Sequence, residues 1–136
     1  MTVNVHPILG RGTSLAGICL AAASAIVLFW LLYFTGLLSF GQADAVRHSY
    51  EAAFPLADAM LAAVLLAAAR SALRCSAATP FLLAIAGAQS VYLGVLDATF
   101  YVRHGLLLPA EIAIALLCMG SGLGALQYAR RHWMAS

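Results

Sequence analysis

Two polar stretches interrupt an otherwise apolar chain and hold every acidic residue of the protein. The first covers residues 44–58 and reads DAVRHSYEAAFPLAD, and the second covers residues 96–111 and reads LDATFYVRHGLLLPAE. In both, an acid precedes Val-Arg-His, a proline follows, and a second acid comes two or three residues after the proline. Carboxyl, imidazole and guanidinium groups can exchange protons, coordinate ions and bind polar ligands. We therefore predict that the chemistry of this protein takes place at these two stretches.

Three acids fall inside apolar segments and are the candidate catalytic residues: Asp58, Asp97 and Glu111. Ionisable side chains at membrane depth are costly, and they usually face the interior of a helix bundle, a partner or water. Asp97 lies near the C-terminal end of its predicted helix, where the helix dipole disfavours a negative charge, so we expect it to pair with Arg103, Arg47 or a proton. For Glu111, at the start of its helix, the dipole offers a purely structural explanation.

The other polar side chains of the two stretches are candidate ligand-binding residues: Arg47, His48, Tyr101, Arg103 and His104. If the two stretches are the tips of similar hairpins, His48 and His104 occupy equivalent places. With Asp58 and Glu111 they have the chemistry to ligate a transition metal, and two histidines alone can hold a haem. Neither HxxxH nor ExxH spacing is present, and each histidine is equally explained as an interfacial side chain. We therefore predict no metal site and leave any cofactor unknown.

The composition of the chain indicates which kind of secondary structure positions these residues. Of the 136 residues, 64% are hydrophobic and only 9% are charged, whereas soluble domains have about 25% charged residues. The mean hydropathy is +0.96. The formal charge of +2 is too small to indicate a nucleic-acid partner. Three cysteines in separate segments, without a CxxC motif, indicate neither a disulfide framework nor a thiol redox site.

Four apolar runs approach or exceed the roughly 20 residues that a helix needs to cross the hydrocarbon core. We predict helices at about 15–40, 52–72, 80–101 and 108–128, in a single transmembrane domain that covers residues 1–136. Trp30, Tyr33 and Phe34 then lie in the later half of the first helix, as an interfacial aromatic belt would. The predicted fold is an all-α integral membrane protein, a four-transmembrane-helix bundle made of two helical hairpins.

The arginines predict the orientation of that bundle. The N-terminal arm, the middle loop and the C-terminal tail hold five of the seven: Arg11, Arg70, Arg74, Arg130 and Arg131. The two tips, at 41–51 and 102–108, hold only Arg47 and Arg103. Because cytoplasmic segments are enriched in Lys and Arg, we predict that both termini are cytoplasmic and that the tips face outward. The expected location is a bacterial-type inner membrane.

Helical spacing assigns polar and small residues to one face of each later helix. The third helix offers Gly87, Ser90, Gly94, Asp97, Tyr101 and His104, and the fourth offers Glu111, Ala115, Cys118, Gly122 and Ala125. The second offers Glu51, Pro55, Asp58, Ala62, Leu65 and Ala69. We expect these faces to meet, because small residues allow close helix approach, and to bring Asp58, Asp97 and Glu111 into one outward-opening polar pocket.

Three classes of function fit this pattern. The leading prediction is an accessory or ligand-binding subunit that uses the outward-facing Asp, Glu, Arg and His cluster. Its partners would be membrane lipids and a homo-oligomer or a larger membrane complex. The first alternative is a membrane enzyme in which Asp58, Asp97 or Glu111 performs acid/base chemistry on a lipid-like substrate. The second is a small dimeric transporter, although no ionisable residue lies near the predicted midplane, where transporters bind their ions.

Overall fold

The computed structural model describes residues 6–37, 50, 52–105 and 109–134, and within them the protein consists of α-helices without strands. The helices are α1 (His6–Phe34), α2 (Pro55–Leu73), α3 (Thr79–His104) and α4 (Pro109–Trp133). Each contains a segment that is long and apolar enough to cross a membrane, with a mean hydropathy between 1.6 and 2.5. The prediction of an all-α protein with four helices that are long and apolar enough to span a membrane is therefore confirmed for the described residues.

The ends of the helices differ from the predicted ones. The first helix begins earlier than predicted and ends at Phe34 rather than near residue 40. The Thr35 hydroxyl donates to the carbonyl oxygens of Leu31 and Leu32, and Gly36 has a φ of +74°, a left-handed conformation that commonly ends helices. The apolar sequence continues past this point, so hydrophobicity alone could not locate the end.

The third helix is longer than predicted at its C-terminal end. It continues through Arg103 and His104 to Gly105, whose φ is 65° and whose backbone N–H donates to the carbonyls of Tyr101 and Val102. Residues 102–104, predicted to belong to the outward tip, are therefore its last helical turn. Similarly, α4 continues to Trp133, five residues beyond the predicted end.

The chain divides into two compact units, residues 1–76 and 77–136. In the first unit α1 contacts α2 and buries small side chains at helical spacing, Ala16, Cys19 and Ala23. At one end, a Cβ built on Gly12 would lie 3.0 Å from the carbonyl oxygen of Ala72. At the other end, Trp30 hydrogen bonds to Asp58. The two helices therefore run antiparallel, with small residues along the contact.

In the second unit α3 contacts α4, and glycine sets the distance between them. A Cβ on Gly87 would lie 2.7 Å from the carbonyl oxygen of Gly122, and a Cβ on Gly122 would lie 2.6 Å from that of Gly87. The Ser90 hydroxyl donates a 2.9 Å hydrogen bond across the contact to the carbonyl oxygen of Cys118. Lipid provides no hydrophobic force between helices, so close backbone approach and interhelical hydrogen bonds stabilise the pair.

The predicted faces of the third and fourth helices are the ones in contact, whereas the GxxxG motif of α4 is not. A Cβ on Gly120 or Gly124 would meet no heavy atom within 4 Å, although Gly122, between them, is tightly packed. Away from the contacts, large apolar side chains such as Leu31 and Leu117 are 58% and 72% exposed. Such surfaces suit lipid as the surrounding solvent.

We predict that Gly122→Ala separates α3 from α4, because the new methyl group would meet backbone atoms of Gly87 and Val91 that cannot move aside. Overpacking of this kind costs about 1–3 kcal/mol. Gly120→Ala and Gly124→Ala are matched controls that should be neutral or stabilising by up to about 1 kcal/mol, because alanine favours helix. The measurement is the alkylation rate of Cys118, which lies on the contact face, in chains that lack the other two cysteines. Equal rates in all three variants would contradict the glycine contact.

Candidate functional site

The register of α3 against α4 places two candidate carboxylates at the same height along the axis of the helix pair. Gly87 lies against Gly122, and Gly94 lies against Ala115, so each step forward along α3 matches one step back along α4. Three further steps from Gly94 place Asp97 level with residue 112, next to Glu111. Asp97 also follows Gly94 at helical spacing, on the face of α3 that contacts α4. We call the end of the pair that contains Asp97, Tyr101 and Glu111 the acidic end.

Burial distinguishes the members of the acidic end. Glu111 is only 5% exposed and Tyr101 is 9% exposed, whereas Asp97 is half-buried. The Oε2 atom of Glu111 is shielded from solvent. Each of the three residues takes part in an interaction within the protein. A buried carboxyl group loses its hydration and depends on the groups that surround it, so the acidic end is a specific environment rather than a solvated surface.

The observed helix ends determine how deep each of the three acids lies within its helix. Because α3 ends at His104 rather than near residue 101 as predicted, Asp97 lies about 10 Å inside the helix end, at about 1.5 Å per residue. Asp58 and Glu111 lie in the first turns of α2 and α4, only about 3–5 Å from the helix starts. The helix dipole favours a carboxylate at both of these positions, but it gives Asp97 no such support.

The last turn of α3 contributes two basic side chains beside the acidic end. Arg103 and His104 are both exposed, and the His104 ring lies on the Phe100 ring with their centroids 4.5 Å apart. Both side chains lie at the C-terminal end of the helix dipole, which favours positive charge. They are therefore available to a ligand or a headgroup at this end of the pair.

Asp58 has a partner that the sequence did not suggest. The Trp30 Nε1–H donates a 2.9 Å hydrogen bond to Asp58 Oδ2 across the α1–α2 contact. Trp30 also belongs to a group of packed rings, with Phe29, Tyr33 and Phe34 at centroid distances of 5.2–5.6 Å from it. The sequence pattern predicts only an interfacial aromatic belt for Trp30. The sequence contains a signal for this bond, because the N–H of a tryptophan in an apolar segment generally finds an acceptor.

Two predicted ligand-binding residues, Arg47 and His48, lie outside the described residues. Asp58 belongs to the first compact unit, and Asp97 and Glu111 belong to the second, so the pocket shared by all three stays a prediction. Within the described part of the chain no three His, Cys, Asp or Glu side chains are placed to hold a metal ion. The metal and haem alternatives depend on His48 and stay untested.

Comparison with known proteins finds no matching family model, no similar curated protein and no similar solved structure.

We predict that the Trp30–Asp58 hydrogen bond stabilises the α1–α2 contact. Asp58→Asn keeps a carbonyl acceptor and should have little effect, whereas Asp58→Leu leaves the indole N–H without its acceptor. The expected loss for Asp58→Leu or Trp30→Phe is about 0.6–1.7 kcal/mol, the range for interhelical hydrogen bonds in membranes. Alkylation of Cys19, which is buried in this contact, reports the separation of the helices.

A double-mutant cycle supplies the control. In the Asp58→Leu background, Trp30→Phe should add little further loss, because the bond is already absent. Fully additive losses would show that the two side chains stabilise the protein independently, which contradicts the prediction.

Proposed function

We propose that this protein is a small polytopic membrane protein that acts as an accessory or ligand-binding subunit, with the acidic end of the α3–α4 pair as its binding site. The observation that carries the proposal is the burial of Glu111 at the level of Asp97, on a helix contact that is rich in small and apolar residues. Membrane lipids and a homo-oligomer or larger membrane complex are the proposed partners.

A purely structural role explains part of this arrangement and leaves part unexplained. The dipole of α4 favours an acid in its first turn, but an exposed glutamate would gain the same benefit. Asp97 lies about two turns inside the C-terminal end of α3, where the helix dipole gives a carboxylate no support. Retaining both carboxyl groups on the contact face has a cost in an apolar protein, and such groups usually serve a ligand, an ion or a proton path. These costs support a binding role.

The chemistry of the acidic end indicates the kind of ligand. Asp97 and Glu111 offer acceptor oxygens to an ammonium, guanidinium or hydroxyl group, and Tyr101 offers a phenol. Arg103 and His104, exposed on the last turn of α3, offer donors to an anionic group. We therefore propose a polar or zwitterionic ligand, such as a lipid headgroup or a polar segment of a partner protein.

The orientation is part of the same proposal. Asp58 and Arg70 lie in the first and last turns of α2, and Glu111 and Arg130 lie in the first and last turns of α4. In each antiparallel pair the acids are therefore at one end and an arginine-rich segment is at the other. By the positive-inside rule we propose cytoplasmic termini and outward-facing acids in a bacterial-type inner membrane. Assembly of all four helices into one bundle stays a prediction.

The orientation can be tested with the native Cys75, which is exposed in the turn after α2. In a chain that lacks Cys19 and Cys118, we expect a membrane-impermeant thiol reagent to leave Cys75 unmodified in intact cells and to modify it after permeabilisation. Val102→Cys, introduced on an exposed position of α3 in a chain without native cysteines, should be modified in intact cells. The reverse pattern would overturn the proposed orientation.

The binding role can be tested by what co-purifies with the protein in mild detergent. We expect mass spectrometry to find a lipid or protein species that is depleted at least about tenfold in an Asp97→Asn, Glu111→Gln variant, a loss of about 1.4 kcal/mol. Asp58→Asn, in the other pair, should retain that species and serves as the matched control. Cys118 alkylation must be unchanged, so that loss of binding is not loss of packing. An unchanged set of co-purifying species in the double variant contradicts the proposal.

A further inference from the structure

The end of α4 opposite to Glu111 has a cleft that the proposed function does not use. Its volume is about 720 Å³, and its described lining consists of Gly120, Leu123, Gly124, Leu126, Gln127, Arg130 and Arg131. The cleft is a half-open surface groove, and its described lining residues all belong to α4. We call it the α4 arginine cleft.

The cleft is apolar at one end and cationic at the other. Gly120 and Gly124 lie one turn apart, and a side chain at either position would extend into open space. Gln127 and Arg131 continue the same face at spacings of three and four residues, and Arg130 lies beside them. The progression from Gly120 to Arg131 covers about 16 Å along the helix axis, at 1.5 Å per residue. A chain-like apolar group with a charged head matches this order.

The charge of the cleft has no counterpart in the nearby sequence. No acidic residue occurs between residues 59 and 96 or after residue 111. The half of α3 that runs beside this half of α4 therefore contributes no carboxylate. Arg130 and Arg131 are exposed, in the last turn of α4, where long cationic side chains can reach the headgroup level of a bilayer. An anionic group from outside the pair is the natural counterion.

We propose that the α4 arginine cleft binds one anionic phospholipid, with its phosphate at Arg130 and Arg131 and part of an acyl chain over Gly120 and Gly124. Basic sites at the cytoplasmic ends of membrane helices attract anionic headgroups, and Arg is suited to phosphate because its planar fork binds two oxygens at once. Gln127 supplies an amide at the level of the glycerol backbone. This site is separate from the acidic end, and only its cytoplasmic placement rests on the orientation proposed above.

The test uses the full chain in nanodiscs of phosphatidylcholine, with or without phosphatidylglycerol, and counts the retained lipids by native mass spectrometry. We expect the wild-type protein to retain one phosphatidylglycerol in preference to phosphatidylcholine. Arg130→Gln with Arg131→Gln should weaken that retention at least about tenfold. Gly124→Leu should weaken it to a similar extent without any change in charge, because its side chain fills the cleft.

Two controls distinguish a site from general surface charge. Arg70→Gln with Arg74→Gln removes the same number of charges from the end of α2, and it should leave the retained phosphatidylglycerol in place. Gly17→Leu fills open space on α1 and should also have no effect. Free glycerol phosphate at millimolar concentration should not displace the lipid, because the acyl chain contributes to binding.

Three results would overturn the proposal. Equal loss of lipid in the α2 and α4 arginine variants would show only general attraction to a cationic surface. Unchanged retention in Gly124→Leu, together with loss of a cross-linked dimer, would show that a second copy of the chain covers the glycines. Displacement by glycerol phosphate alone would show a site for the free anion rather than for a lipid. Cys118 alkylation checks that each α4 variant keeps its packing against α3.

Discussion

The close approach of α3 and α4 at Gly87 and Gly122 is the contact on which the arrangement of the acidic end depends. At this point each backbone carbonyl lies where the side chain of the opposite residue would be. A shift of one residue along α3 would place Ala86 or Ala88 at the crossing, and a shift along α4 would place Ser121 or Leu123 there, so either shift brings a side chain against the opposite backbone. The observed register, continued outward through Gly94 and Ala115, brings Asp97 and Glu111 to one level. A packing constraint between uncharged residues therefore positions the charged ones.

The α1–α2 contact also holds two apolar helices together, but it combines small residues with an interhelical hydrogen bond. Its small residues, including Gly12, Ala16 and Ala23, allow the helices to approach, and the Trp30–Asp58 hydrogen bond joins them at the other end. In lipid the gain from such a bond is modest because the separated helices find other partners. Its greater effect is on position, since a buried indole N–H and a carboxylate each restrict where the other can lie.

The charges of the protein are segregated along the helices, and this segregation gives α4 two ends with opposite chemistry. Glu111 lies at its start, and Arg130 and Arg131 lie in its last turn. The helix dipole favours both placements, so the same charges stabilise the helix and create two environments of opposite sign. We propose a polar or zwitterionic ligand for the acidic end and an anionic lipid for the arginine cleft. The apolar surface between them is available to the acyl chains of the bilayer.

The sequence by itself determined the all-α class, the number of membrane-spanning helices and the contact faces of α3 and α4. These follow from apolar length and from a helical period, which are local properties of the chain. The end of α1 at Phe34 was not predictable from hydrophobicity, because the apolar run continues beyond Gly36 and only the backbone conformation marks the stop. The Trp30–Asp58 bond required the antiparallel contact of two helices, since the partners are 28 residues apart. Spacing within one helix defines its faces, but the choice of the neighbour, the register and the burial of Glu111 arise only when two helices pack.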